Sequence, residues 1–102
     1  MINTITILGR LVKEAETKKI NKELSTIKFT IAVNETDEIV SYFDCIYFVK
    51  STGVAEYLTK GKQVAISGSL HQDRYTNKDG DKVSRVEIKV RNLDLISDSK
   101  TK

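Results

Sequence analysis

The most aromatic part of the sequence is the segment 40–49, Val-Ser-Tyr-Phe-Asp-Cys-Ile-Tyr-Phe-Val. Because alternate side chains of a β-strand share a face, Tyr42 and Phe48 would lie on one side of this segment, and Phe43 and Tyr47 on the other. One core cannot easily cover aromatic area on both faces of a strand, so the strand is either sandwiched or touches a partner. An exposed ring could stack on a nucleobase or complete a contact between subunits, and the residues alone leave both interpretations open.

Basic side chains are spread through four of the predicted elements, and a small barrel could gather several of them along one groove. The candidates for contact with phosphate groups are Lys28, Lys50, Lys60, Lys62, Arg74, Lys78 and Arg85. Each phosphate that a cation neutralises releases condensed counterions, so such binding weakens as salt is added. Any single lysine is as well explained by a solvated surface. The net charge of +3 is compatible with a polyanionic partner without requiring one.

The sequence contains no recognisable catalytic or metal-binding pattern. His71 is the only histidine, and without a set of partner residues it is expected to be an exposed residue at a strand end. Cys45 alternates with aromatic residues, which indicates a small core residue, and a single cysteine cannot form an internal disulfide. No Walker loop, dinucleotide fingerprint, zinc spacing or nucleophile elbow occurs. We therefore expect no enzyme activity, no cofactor and no metal site, in a protein of the reducing cytoplasm.

The elements that must position these residues are mostly strands. The chain has 102 residues, so we expect one domain over 1–96 and a short polar C-terminal end at 97–102. The apolar runs are too short for a transmembrane helix and no signal peptide is evident, so no membrane association is expected. Alternating apolar and β-branched residues predict five strands, over 2–12, 24–33, 40–49, 62–72 and 83–96.

Polar stretches separate the predicted strands. Residues 13–23 are nearly all charged or polar, which predicts a solvated loop, and 34–39 form a short acidic connection. Residues 73–82 predict a polar hairpin tip that carries Tyr75, with a tight turn favoured by the Asp-Gly pair that ends at Gly80.

Residues 51–60 change to a helical period, with Thr52 as a candidate cap and Gly61 placed to end a helix. Three strands, a short helix and two strands predict an all-β fold, the five-stranded OB-fold Greek-key barrel with one short helix between strands 3 and 4. Gly9 and Gly68 lie inside predicted strands, and they fit this fold because small barrels need local bends to close.

Particular stretches narrow the prediction. They are Ile-Leu-Gly-Arg-Leu-Val-Lys-Glu (7–14), Phe-Thr-Ile-Ala-Val-Asn-Glu-Thr (29–36), Tyr-Phe-Asp-Cys-Ile-Tyr-Phe (42–48), Val-Ala-Glu-Tyr-Leu-Thr-Lys-Gly-Lys-Gln-Val-Ala-Ile-Ser-Gly-Ser-Leu (54–70) and Asp-Arg-Tyr-Thr-Asn-Lys-Asp-Gly (73–80). In this order they resemble the successive strands, helix and hairpin of the bacterial single-stranded DNA-binding proteins. No single stretch is specific, but together they cover residues 2–96 with one shortened connection.

The resemblance implies an OB-fold that coats single-stranded DNA in replication, recombination or repair, without strong sequence preference and usually as a homotetramer. In this family, aromatic side chains stack on bases and cations follow the phosphates. The positions that match its stacking residues are Tyr42, Phe48 and Tyr75. The positions that match its phosphate-contacting cations are Lys50, Lys60 and Arg74.

The sequence also departs from the family pattern. It has no tryptophan, a short connection at 34–39, and carboxylates at Asp44 and Asp73 where neutral or basic residues are common. It ends in Ser-Lys-Thr-Lys without the acidic tip that recruits repair proteins, as in short tail-less relatives from phages or mobile elements. We expect weaker and more salt-sensitive DNA binding than in typical members. The alternatives are a dimeric accessory protein of the replication-restart type and an OB-fold RNA binder.

Overall fold

The computed structural model describes residues 1–96, and the end predicted at 97–102 lies outside the described residues. The described chain forms six β-strands and one short 3-10 helix. In chain order these are β1 (Ile5–Leu11), β2 (Glu16–Lys19), β3 (Ser25–Asn34), β4 (Val40–Val49), the 3-10 helix η1 (Gly53–Tyr57), β5 (Gln63–Thr76) and β6 (Lys82–Leu95). Within this range no helix is long and apolar enough to cross a membrane.

Five of the strands close into a barrel in the order β1-β5-β6-β4-β3, and β3 pairs back onto β1 to complete the ring. Neighbouring strands are antiparallel, except that β4 and β6 run parallel. The five-stranded Greek-key barrel predicted from the sequence is therefore present. The sixth strand, β2, lies outside the ring and pairs with the first half of β3.

The core consists of the inward-facing apolar side chains of these strands together with Leu58, which follows η1. Its buried members are Leu11, Ile27, Phe29, Ile31, Cys45, Leu58, Val64, Ile66, Ile88 and Val90. In β3 the inward residues Ile27, Phe29 and Ile31 are at most 3% exposed, as the alternation predicted. Cys45 is 2% exposed, which confirms its prediction as a core residue.

Two glycines allow strands to approach closely where the barrel bends. The register of β5 against β6 shifts at Gly68, which is the irregularity that a glycine inside a strand indicates. A Cβ atom at Gly68 would lie 1.9 Å from the carbonyl oxygen of Lys89. A Cβ atom at Gly9 would lie 2.9 Å from the carbonyl oxygen of Ala32. Both positions therefore exclude larger residues unless the backbone moves.

The predicted helix over 51–60 was wrong in length and type, because the structure has only the five-residue 3-10 helix Gly53–Tyr57. The side chain of Thr52 makes no capping hydrogen bond, and no residue of η1 is fully buried. A segment this short does not sustain an α-helix when none of its faces is buried. Leu58, directly after η1, is 1% exposed and anchors the segment to the core.

The solvated loop predicted at 13–23 was also partly wrong, because it contains β2. All four residues of β2 are polar and exposed, and the alternation of apolar and polar residues that identifies a half-buried strand is therefore absent from this segment. The strand forms through backbone pairing with β3, from Glu16 opposite Lys28 to Lys19 opposite Ser25. Cross-strand hydrogen bonding, and not burial, creates this element.

The predicted hairpin tip at 73–82 is shorter than expected, because β5 continues to Thr76 and β6 begins at Lys82. The actual turn is stabilised by the side-chain oxygen of Asn77, which accepts hydrogen bonds from the backbone N–H groups of Asp79 and Asp81, both at 3.0 Å. Gly80 has φ of +84°, the left-handed conformation that an Asp-Gly turn requires.

Candidate nucleic-acid interface

The three aromatic side chains predicted to stack on bases are exposed. Tyr42 is 65% exposed, Phe48 45% and Tyr75 46%. Tyr42 and Phe48 are six residues apart in β4, so they project from the same outer face, and the alternating residue Cys45 lies in the core. At about 3.3 Å per residue, the two rings start roughly 20 Å apart along the strand. This spacing leaves room for more than one nucleotide between them.

The cross-strand register places one cation in line with each ring, two strands away, and the sequence analysis selected neither of these cations. Phe48 lies opposite Thr26, which lies opposite Lys18 of β2. At the other end of the face, Tyr42 lies opposite Ala32, which lies opposite Arg10 of β1. Directly opposite residues share a face, so Lys18 and Arg10 flank the outer surface. Lys18 was missed because β2 itself was missed.

A third row of the same face carries Lys28, one of the predicted phosphate contacts. Lys28 lies opposite Ile46 of β4, and Ile46 lies beside Lys89 of β6. Lys28 and Lys89 are both exposed, whereas Ile46 is 9% exposed. Lys89 could have been identified from its alternation with the buried residues Ile88 and Val90. The sequence therefore contained a signal for Lys89 that the analysis did not use.

Carboxylates share this face with the cations. Asp44 lies between Tyr42 and Ile46 on β4, and Arg85, a predicted phosphate contact, places its Nε atom 4.0 Å from Oδ2 of Asp44. The hydroxyl of Thr30 donates a hydrogen bond of 2.8 Å to Oδ1 of Asp44. A depression of about 250 Å³ is centred here, and its charged lining residues are Lys13, Glu16, Lys28, Asp44, Arg85 and Glu87. Positive and negative charges balance within it.

Tyr75 lies in strand β5 opposite Val83, and not in the hairpin tip as predicted. The β5–β6 hairpin extends beyond the barrel at this point. A groove of about 530 Å³ runs along it, and most of its lining lies on the face opposite the Tyr75 ring, namely Gln72, Arg74, Thr76, Lys82 and Ser84. Arg74 points to the opposite face of β5, where its Nη2 atom donates to Oε1 of Gln72 at 3.3 Å. Lys78 lies at the tip of the same hairpin. Tyr75 and Arg74 thus occupy two sides of one arm.

The remaining predicted phosphate contacts lie at the ends of the face. Lys50 directly follows β4, two residues after Phe48. Lys60 and Lys62 flank Gly61 in the turn before β5, and Arg10 reaches this turn through a 3.1 Å hydrogen bond from Nη1 to the carbonyl oxygen of Gly61. Basic residues therefore lie near both Phe48 and the Arg10 end of the sheet.

The thiol of Cys45 lies beneath this face, and its ionisation to the thiolate is suppressed. Burial, together with the smaller effect of the nearby carboxylates of Asp44 and Glu87, raises its pKa to about 12. A thiol needs its thiolate form to act as a nucleophile or metal ligand, so Cys45 is a packing residue. No group of three or more metal-binding side chains occurs in the part of the chain that the structure describes.

We expect native Cys45 to resist an aromatic disulfide reagent at pH 8, where almost none of the thiol is ionised. The same protein in urea should react with one equivalent of the reagent. The release of the coloured thiolate, followed by absorbance, measures both reactions. Complete reaction of the native protein within seconds would contradict the buried position of this thiol.

Comparison with known proteins shows the family of this chain. The model of the single-strand binding protein family matches residues 2–96. A single-stranded DNA-binding protein of Borreliella burgdorferi is 37% identical over 94% of this chain and 70% of its own length. That of Treponema pallidum is 33% identical over 93% of this chain and 58% of its own length. The chain thus spans between about half and two thirds of several such relatives.

The fold has a solved counterpart as well. The structure described as a Plasmodium falciparum SSB complex with ssDNA matches with a TM-score of 0.83 and 21% identity, over 95% of this chain and 96% of that one. A structural similarity at 21% identity shows the fold alone, and it confirms the predicted OB-fold. With a family model that matches almost every described residue, the chain belongs to the single-strand binding protein family.

Proposed function

We propose that the protein binds and coats single-stranded DNA without strong sequence preference, in replication, recombination or repair. The observation that carries this proposal is the exposure of Tyr42 and Phe48 on one face of β4, with cations on the strands beside them. Family membership and the names of the relatives support it. They favour it over the replication-restart accessory protein and the RNA binder.

Base stacking supplies one component of the binding energy in this mechanism. An aromatic ring offers its π-face to any base, which gives ~1–3 kcal/mol per base with little sequence selectivity. Tyr42 and Phe48 stack on two bases of the DNA as it runs along β4. Tyr75 stacks on a further base beside the β5–β6 arm. Because these side chains are already exposed, the free protein needs no rearrangement to accept bases.

Cations contribute the second component by contacting phosphates. Lys28 and Arg85 lie on the face itself, and Lys50 lies just beyond Phe48. The lysines at 60, 62 and 78 and Arg74 extend the positive surface past the ends of the sheet. The carboxylates that balance the central depression limit this component, which supports binding of moderate affinity.

We further propose a non-catalytic protein of the cytoplasm that assembles as a homotetramer, with a dimer as the alternative. One edge of β1 pairs along its length with β5, whereas its other edge pairs with β3 only at Arg10 and Leu11. The first half of that edge could pair with a second copy, and Leu8 beside it is 50% exposed. Mass measurement in solution, with and without DNA, tests the assembly.

Titration with oligonucleotides of several lengths tests the binding itself. Quenching of tyrosine emission by oligothymidylate supports stacking, and failure to bind any single strand would reject the proposal. The same titration with oligouridylate separates DNA binding from RNA binding. If RNA bound more tightly than DNA, the RNA-binding alternative would replace the proposal.

We expect the affinity to fall steeply as salt is added. Each phosphate contact contributes a slope of ~0.7 to a plot of log affinity against log salt concentration, so three contacts give a slope of about 2. Fluorescence anisotropy of a labelled oligonucleotide at several sodium chloride concentrations measures this slope. A flat plot would exclude phosphate contacts by the predicted cations.

A further inference from the structure

The outer face next to Tyr42 carries hydrogen-bond acceptors where most of the interface carries cations. Asp44 follows Tyr42 by two residues on the same face, about 7 Å along β4. Glu87 of β6 lies directly beside Asp44, and the hydroxyl of Thr30 lies on its other side. The two neighbouring carboxylates disfavour a phosphate directly against Asp44, whereas Lys28 and Arg85 beside them can contact the phosphates on either side. Single-stranded DNA that stacks a base on Tyr42 would therefore present a neighbouring base, and not its phosphate backbone, to Asp44.

Asp44 is positioned and still has free acceptor capacity. Its Oδ1 atom accepts the 2.8 Å hydrogen bond from Thr30, which fixes the orientation of the carboxylate. Its Oδ2 atom forms an ion pair with Arg85, whose Nε atom lies 4.0 Å away, a distance too long for a direct hydrogen bond. A carboxylate offers about four acceptor sites, and the side chain of Asp44 is 44% exposed. A ligand can therefore reach acceptors that the protein has not used.

The four bases differ in what they offer to a fixed carboxylate. Guanine presents two adjacent donors on its Watson–Crick edge, the ring N1–H and the exocyclic amino group, which match the two oxygens of a carboxylate. Cytosine and adenine present an amino group next to an acceptor, and carboxylates accept hydrogen bonds from such amino groups. Thymine presents one N–H between two carbonyl oxygens, which repel a carboxylate. The complementarity is best for guanine and worst for thymine.

We infer that Asp44 gives the interface a preference for guanine over thymine at the position beside Tyr42. The inference rests on the proposed function, and it adds a modest preference to binding that stays broadly non-specific. Thr30 is the positioning residue for this contact, because it holds one oxygen of Asp44 in place.

The test compares a labelled oligothymidylate with an oligonucleotide of equal length in which single guanines, separated by at least three thymines, replace some thymines. We expect the guanine-containing strand to bind about fivefold more tightly, which corresponds to a contact of ~1 kcal/mol. Replacement of those guanines by hypoxanthine, which lacks the exocyclic amino group, should remove most of the difference. Fluorescence anisotropy at one salt concentration gives all three affinities.

Asp44→Asn separates this contact from the general stacking advantage of a purine. The variant keeps the size of the side chain but loses one acceptor and the negative charge, so the guanine preference should fall from about fivefold to the smaller ratio that the hypoxanthine strand shows. Its affinity for oligothymidylate should stay the same or rise. The matched control is Glu56→Gln, which removes the same charge from an exposed residue of η1 and should keep the fivefold ratio.

Each outcome has a distinct meaning. Equal affinity of the unaltered protein for the thymine and guanine strands would overturn the inference, and so would a guanine preference that persists in Asp44→Asn. Both results leave single-strand binding intact. Failure of the unaltered protein to bind either oligonucleotide would instead reject the proposed function, and this inference with it.

Discussion

Simultaneous replacement of Tyr42, Phe48 and Tyr75 by alanine is expected to weaken binding to single-stranded DNA by at least about a hundredfold. Each ring contributes ~1–3 kcal/mol of stacking energy, and three such losses correspond to two or more powers of ten even when they are not fully additive. All three side chains are at least 45% exposed, so their truncation leaves no cavity in the core. Anisotropy of a labelled oligothymidylate measures the loss.

Tyr57 provides the matched control for this variant. It is 58% exposed, but it belongs to η1 and not to strand β4. Tyr57→Ala should leave the affinity for DNA within about twofold of that of the unaltered protein, because Tyr57 is not one of the proposed stacking residues. Both variants should keep the far-ultraviolet circular dichroism of the folded barrel. A triple variant that folds and binds as tightly as the original protein would reject the assignment of the stacking residues.

Gly68→Ala is expected to destabilise the barrel by ~3 kcal/mol or more, a large part of the 5–15 kcal/mol typical of a small domain. The added Cβ atom would lie 1.9 Å from the carbonyl oxygen of Lys89 and 2.9 Å from its carbonyl carbon, and both belong to the backbone. A backbone group cannot rotate away as a side chain can. β5 and β6 would therefore have to separate at the bulge between them.

Urea unfolding, followed by circular dichroism, measures this effect as a lower midpoint at an unchanged slope. Gly53→Ala is the control, because the nearest atom to its added Cβ would be the side-chain oxygen of Ser51 at 3.7 Å, an ordinary contact. The control should change the free energy of unfolding by less than about 1 kcal/mol. Equal stability of Gly68→Ala and the unaltered protein would show that the bulge does not need glycine.

The barrel was predictable because burial dominates the sequence of its strands. In β3, Ile27, Phe29 and Ile31 alternate with polar residues and are all buried, so periodicity alone identifies the strand and its inner face. The elements that burial does not create were missed. β2 is entirely exposed and exists only through pairing with β3, and η1 is too short and too exposed to follow the helical pattern that 51–60 suggested.

The candidate interface was predictable to a different extent. Aromatic side chains on both faces of β4 predicted either a sandwiched strand or an exposed face, and the family resemblance selected Tyr42 and Phe48, which the structure shows to be exposed. The cations Lys18 and Arg10 could not be assigned, because their proximity depends on cross-strand register that one sequence does not contain. Tyr75 was placed in a loop because polar residues surround it, although an extended hairpin arm needs no apolar alternation.

Photocrosslinking tests most directly whether the outer face of β4 is where the nucleotides lie. An oligonucleotide that carries 5-iodouracil, which crosslinks preferentially to an aromatic ring stacked on it, is irradiated with the protein, and the crosslinked peptides are identified by mass spectrometry. We predict crosslinks at Tyr42, Phe48 and Tyr75. Crosslinks concentrated at Tyr57, with none on β4, would place the nucleotides elsewhere and contradict the proposed interface.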